Sequence, residues 1–298
     1  MSARGIVRTA VLPVGGLDTG SLPAPKVAPK DRLPIVDKPL VHCAVEEALR
    51  AGVRRVIFVA HRSNQTIAEL ESSFDQPLAE LRRCFPPDIT YRLVRQPAPL
   101  GLAHAIGCAR ALVAEEPFLV IVPHELVDAA EPAAAQLVEA FGRFGRTIVA
   151  AAPANGRSAP HGAMEAFAFE PRLYRVTRVR RASRETSALA IVGRFVFTPE
   201  FFDHLATVPV GARGEIELAE ALQAQLAARP MFACELAGER FDCRSKPGLL
   251  SATLHFGLRH PVLAETFAAM AGGAATAALR SPTIAADRTL SGARTVND

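Results

Sequence analysis

No run of apolar residues in this chain approaches the ~20 needed to cross a bilayer, so a membrane protein of the helical kind is not expected. Near the start, Pro13 and the glycines after it interrupt the apolar run, so a signal-peptide core is not expected there. CxxC pairs are missing too. The five cysteines, Cys43, Cys84, Cys108, Cys234 and Cys243, are scattered and odd in number. That spacing argues against a disulfide framework or a cysteine zinc site and fits free thiols in a reducing cytoplasm. Strong charge of one sign is also absent: the net charge is +4 over 298 residues. Much of the local excess lies in Arg172, Arg175, Arg178, Arg180, Arg181 and Arg184. These read as a solvated basic strand face, with an anion-binding surface as the alternative. The nearest aromatics, Phe169 and Tyr174, do not interleave with them as a stacking platform would, so no nucleic-acid partner is expected. There is no internal repeat and no clean interdomain linker.

What is present is an ordinary globular balance, 49% hydrophobic and 21% charged, with enough chain for one large domain or two small ones. The first half alternates strand-like and helix-like segments. Residues 7–13, 53–60, 90–95, 118–122 and 147–152 read as strands; 39–51, 63–84, 102–113 and 132–144 read as helices. This order predicts an α/β fold, a mostly parallel sheet covered by helices on both faces. Ligands of such sheets sit beyond the carboxyl ends of the strands, which directs attention to the loops after Pro13, Arg95 and Val122. After Pro153 the pattern shifts to shorter strands over 163–197, helices at 199–205 and 215–228, a strand at 231–236 and mostly helix over 248–270. From Gly272 onward small and polar residues replace the apolar pattern, and 271–298 is expected to be a disordered tail.

Residues 13–39 read PVGGLDTGSLPAPKVAPKDRLPIVDKP. Gly15, Gly16 and Gly20 follow a strand directly, and Lys26 and Lys30 lie downstream. Glycines there let backbone N–H groups approach an anion closely, and a lysine adds a mobile positive charge.

This loop resembles the nucleotide-binding loop of bacterial UTP–glucose-1-phosphate uridylyltransferases, approximately A-G-L-G-T-R…P-K-E-x-L-P-I-V-D-K-P. Further blocks follow in the same order. They are LPIVDKP (33–39), VEEALRAG (45–52), VRQPAPLGLAHA (94–105), LAIVGRFVFTP (189–199), GARGEIELAEA (211–221), FDCRSK (241–246) and FGLRHP (256–261). The resemblance spans about residues 6–262. It implies a Rossmann-like nucleotide-diphosphosugar transferase fold, with a nucleotide half over 6–153 and a sugar-side part over 154–270. The implied reaction is attack of glucose-1-phosphate on the α-phosphate of UTP, releasing pyrophosphate, with Mg2+ as cofactor. Such chemistry rests on alignment and charge neutralisation more than on covalent participation.

The resemblance also assigns roles. Gly15, Gly16, Leu17, Gln96 and Gly101 would face the uracil, Lys26 would serve the nucleotide, and Lys30 would be the catalytic lysine. Gly162 would stand on the sugar side, and His124 and Asp242 at the metal. Several family positions are substituted. Asp18 replaces a loop glycine and Gly20 an arginine; His124 replaces the aspartate of Pro-Asp. Arg178 and Val179 stand where Glu-Lys-Pro is expected, and Arg244 stands in place of the glycine of Asp-Cys-Gly. A carboxylate at Asp18 would repel a triphosphate, and lysine does not reproduce a guanidinium's fork. Imidazole at His124 suits magnesium poorly but suits a softer metal. Glu125 follows on what would be extended backbone, where neighbours point in opposite directions.

The expectation is therefore the family reaction as the nominal one, with impaired turnover. One alternative is a non-catalytic uridine-nucleotide-binding regulatory or partner subunit. The other is a divergent nucleotidyltransferase for another sugar phosphate. A homo-oligomer, or association with an active paralogue, is expected, with Leu249, Leu250, Leu254, Leu258 and Leu263 as its apolar stripe and core burial within one subunit as the alternative reading of those leucines.

Overall fold

A computed structural model describes residues 6–14, 33–61, 83, 85–153, 161–181 and 189–278. In chain order the elements are β1 (Thr9–Val14), β2 (Pro34–Ile35), β3 (Lys38–Pro39), α1 (Leu40–Arg50), β4 (Arg55–Ala60), β5 (Thr90–Arg95), α2 (Gly101–Cys108), α3 (Arg110–Val113), β6 (Phe118–Ile121), β7 (Glu125–Asp128), α4 (Ala133–Phe144) and β8 (Ile148–Pro153). There follow β9 (Ala163–Glu170), β10 (Leu173–Arg180), β11 (Leu189–Phe197), α5 (Phe201–Ala206), α6 (Leu218–Ala228), β12 (Phe232–Glu235), β13 (Glu239–Asp242), α7 (Lys246–Gly257) and α8 (Ala264–Ala278). By contacts the chain forms two compact units, Met1–Thr253 and Leu254–Asp298.

In the first unit nine strands form one sheet in the order β5-β4-β1-β6-β11-β8-β12-β10-β9. β5, β4, β1 and β6 are mutually parallel. β11 runs against β6 and β8, β12 runs with β8, and β10 runs against β12 and β9. The sheet is thus mixed, with the parallel block in its first half. Val11 of β1 lies between Ile57 of β4 and Val120 of β6, all buried, and these strands read as near-continuous hydrophobic runs because both faces are covered. On β1 the two directions separate cleanly: Val11 joins the core packed against α2, α5 and α6, while Ala10 and Leu12 join that packed against α1 and α4. Period-2 alternation of this kind supplies apolar surface to both helical layers.

Helix boundaries follow local chemistry. Pro39 precedes α1, where its missing N–H costs nothing. Gly145 ends α4 at φ 60°, a left-handed conformation that favours glycine. The single helix expected over 102–113 is two, because Ala109 interrupts the run between α2 and α3. β7 and β13 pair only with each other, Glu125 opposite Asp242 and Leu126 opposite Phe241. In the second unit α8 continues through Ala278, into the segment expected to be disordered. There Phe267 packs so closely that a Cβ on Gly257 would come within 2.5 Å of its ring. No helix among the described residues is long and apolar enough to cross a membrane.

Candidate functional site

The carboxyl ends of the parallel strands carry the chemistry-bearing loops. β1 leads into residues 15–32, which lie outside the described residues. The assignments to Gly15, Gly16, Leu17, Asp18, Gly20, Lys26 and Lys30 therefore fall outside the structural description.

His61 directly follows β4 and Gln96 directly follows β5, and both are buried. Gln96 donates from Nε2 to the Gly101 carbonyl (3.0 Å) and to His104 Nδ1 (3.1 Å). Burial lowers the pKa of His104, consistent with a neutral ring that accepts at Nδ1. His61 donates from Nδ1 to the Gln96 carbonyl at 2.8 Å. Its Nε2 is then an acceptor and has no hydrogen-bond partner among the described residues. Gly101 opens α2 at φ +87°, and a Cβ there would press within 3.1 Å of Glu215. The 96–101 loop is thus seated on the 211–217 segment, and the Ile216 N–H donates to the Leu100 carbonyl at 2.8 Å.

The second group forms where β6 turns into β7. Pro123 and His124 lie in a turn closed by the Glu125 N–H on the Val122 carbonyl (3.2 Å). Strand alternation therefore does not separate the two side chains, contrary to the extended backbone expected there. His124, Glu125 and His161 each offer a ligand atom, and these lie within 4.8 Å of one another. Glu125 is fully buried. Its Oε1 is 2.6 Å from His161 Nε2. Its Oε2 accepts from Arg240 Nε at 2.9 Å, with Arg240 Nη2 2.8 Å away. Burial alone would raise the Glu125 pKa. Charge and hydrogen bonding from His161, then the charges of Arg240 and His124, outweigh it and hold the carboxyl well below its usual range.

Across the β7–β13 pair, Glu125 faces Asp242 on one side of the ribbon. Two carboxylates so placed repel, and each has its own arginine. Arg244 grips Asp242 through Nε to Oδ1 (2.9 Å) and Nη2 to Oδ2 (2.6 Å), and its backbone N–H adds a contact to Oδ1 at 3.1 Å. Against desolvation, the Arg244 hydrogen bonds and charge keep the Asp242 carboxyl below its usual range. Arg244, standing in place of the glycine of Asp-Cys-Gly, is a bidentate clamp. Magnesium demands hard oxygen ligands in near-ideal geometry. Asp242 is closed by Arg244, Glu125 is held by His161 and Arg240, and His124 offers nitrogen. These residues as arranged do not fit magnesium.

On the sugar side, Gly162 sits at φ +112°, where a Cβ would lie 2.7 Å from the Arg180 carbonyl oxygen. Val179 is buried in the core beneath α6, with its N–H donated to Gln223 Oε1 at 2.8 Å. Arg178 is exposed on β10. The two residues that stand in place of Glu-Lys-Pro therefore diverge, one inward and one to solvent.

Behind the site lies a fully buried guanidinium. Arg194 of β11 binds Glu47 of α1 through Nε (2.9 Å) and Nη2 (2.7 Å). Its Nη1 donates to the carbonyls of Val122 (3.1 Å) and Gly193 (3.3 Å), which anchors the turn bearing His124. Glu47 also accepts the Ala134 N–H at 3.0 Å, a carboxylate at the amino end of α4. Reading the sequence located Glu47 and Arg194 only as members of matching blocks. His61, His161 and Arg240 were not singled out; a histidine ending a buried strand was the one available signal.

A large sheet with a parallel half and helices on both faces defines the Rossmann-like nucleotidyltransferase class. A family model described as nucleotidyl transferase matches residues 10–240. The UTP–glucose-1-phosphate uridylyltransferase of Bacillus subtilis (strain 168) is 35% identical over 276 residues, covering 87% of this chain and 94% of the relative. A solved UDP-glucose pyrophosphorylase complexed with UDP-glucose superposes with TM-score 0.75 at 29% identity, over 84% of this chain and 98% of that one. A UTP-bound UGPase from Acinetobacter baumannii gives TM-score 0.75 at 30% identity, over 89% and 98%. The chain belongs to the nucleotidyl transferase family, as a divergent member of its UTP–glucose-1-phosphate uridylyltransferase branch.

Proposed function

We propose that this protein binds a uridine nucleotide in the family's cleft, with UTP + glucose-1-phosphate to UDP-glucose + pyrophosphate as its nominal reaction, and that magnesium-dependent turnover is impaired. The observation that carries the second part is the closure of Asp242 by Arg244. A guanidinium there supplies positive charge but opens no coordination position for a metal shared with phosphates. Base recognition has support of its own. Gln96 is buried and fixed by Gly101 and His104, and the His61 acceptor suits the N–H of a uracil ring. On the sugar side, Val179 delivers no charge and Arg178 replaces an acidic group. Relatives in this branch are reported with UTP and with UDP-glucose, which favours a uridine nucleotide over another base.

Calorimetry tests this reading. Uridine or UMP should bind, and UTP should gain little from added magnesium. Tight UTP binding that depends on magnesium would overturn it. The proposal extends to self-association or pairing with an active paralogue. Leu250 is 70% exposed, and within the second unit Leu254, Leu258 and Val262 are exposed as well. Light scattering showing a monomer at micromolar concentration would end that part.

A further inference from the structure

We propose that His124, Glu125 and His161 form a binding site for a borderline first-row divalent cation of the zinc class, distinct in ligand set from a two-carboxylate magnesium site. Two imidazoles and one carboxylate are a donor set that suits zinc and its neighbours and suits magnesium poorly. They come from two places in the chain: His124 and Glu125 at the junction of the turn after β6 with β7, and His161, the residue before Gly162, at the entrance to β9.

Distances agree with a site that closes on an ion. Metal bonds of ~2.0–2.1 Å in tetrahedral geometry set donor atoms roughly 3.3 Å apart. Here the Glu125–His161 separation is 2.6 Å and the donor atoms of all three residues lie within 4.8 Å of one another, which brackets that value. Insertion of the ion parts the Glu125–His161 pair by roughly 0.7 Å and draws His124 inward.

The surroundings are those of a supported carboxylate ligand. Arg240 holds Oε2, so Oε1 is oriented toward His161, as outer hydrogen bonds orient metal ligands. Gly193 lets the β11 backbone pack closely on this turn; a Cβ there would stand 3.3 Å from Oε1 and 2.7 Å from Val122 Cβ. The His161 side chain is 10% exposed and Glu125 0%, which excludes competing solvent ligands from most of the sphere. Asp242, across the ribbon, is closed by Arg244 and stays outside the proposed ligand set.

The test uses tag-free full-length protein stripped with a chelator. Calorimetric titration with Zn2+ should show one saturable site per chain, and millimolar Mg2+ should leave it unchanged. Co2+ should bind with visible d–d absorption that Zn2+ abolishes. His124→Ala and His161→Gln should each weaken Zn2+ at least tenfold, with the glutamine retaining a hydrogen-bonding partner for Glu125. X-ray absorption on the Zn2+-loaded wild-type protein should count two imidazole ligands and no thiolate, a readout that does not depend on the variants folding. Absence of saturable Zn2+ binding would overturn the proposal. So would undiminished affinity in both variants, or a zinc sphere with thiolate or fewer than two imidazoles.

Discussion

Glu47→Gln is the substitution whose consequence the structure specifies most closely. Arg194 is completely buried and the Glu47 side chain only 11% exposed, so neither charge has water to fall back on. Glu47 accepts from Arg194 Nε, Arg194 Nη2 and the Ala134 N–H. Glutamine preserves the volume but removes the charge, and its NH2 group must face at least one of these donors. Breaking a buried pair by removing one partner costs about 3–5 kcal/mol, because the remaining charge is left uncompensated. Against a typical total of about 5–15 kcal/mol, that is a large share. Urea unfolding should show the midpoint falling with the slope unchanged, since the area exposed on unfolding does not alter. A double variant, Glu47→Leu with Arg194→Met, removes both charges and should lose less than Glu47→Gln alone. The Arg194 Nη1 bonds to Val122 and Gly193 anchor the turn before Glu125, so the single variant should also loosen the His124 region in hydrogen exchange. A loss below about 1 kcal/mol for Glu47→Gln, the size of an exposed pair, would refute the reasoning.

Other perturbations read out different parts of the site. Gly162→Ala should destabilise the fold by about 1–3 kcal/mol, because a Cβ meets the Arg180 carbonyl at 2.7 Å on backbone at φ +112°; a variant as stable as wild type in urea would contradict this. Glu125 has its folded-state pKa depressed below the ordinary 4.5. Its contribution to stability is therefore fully present above about pH 4.5 and is lost as pH falls through the lower folded value. Unfolding curves for Glu125→Gln should show a flatter acid limb than wild type, and an identical limb would remove this residue from the account. Arg244→Gly should release the Asp242 carboxylate and raise the magnesium dependence of UTP binding about tenfold, the scale of one lost charge-assisted contact at ~1.4 kcal/mol. No change in calorimetry would show that the clamp does not govern metal access.

The alternation of apolar runs was enough to place the parallel block. Residues 90–95 coincide with β5, and the helix expected at 132–144 starts one residue before α4 and ends with it. β7 and β13 escaped because ELVD and ERFD are four residues each, too short to show a period, and exist only by pairing with each other. Ala109 divides α2 from α3 without any polar or glycine marker, so periodicity could not reveal the break. For the site, residue identity exposed substitutions but not their new partners. Arg244 and Asp242 are two positions apart, and only the geometry shows the guanidinium turned back onto both carboxylate oxygens. Glu47 and Arg194 are 147 positions apart, beyond any local rule. The grouping of Glu125 with His161 depends on a turn at Pro123 and His124 where extended backbone was expected.

The most direct test of impaired magnesium-dependent turnover is pyrophosphate release by purified protein given UTP and glucose-1-phosphate with magnesium. Arg244 occupies both oxygens of Asp242, and Val179 and Arg178 leave the sugar side without its acidic group. On that basis release should stay far below the roughly 1–1000 per second of ordinary enzymes. UDP-glucose formed at such ordinary rates would contradict the account.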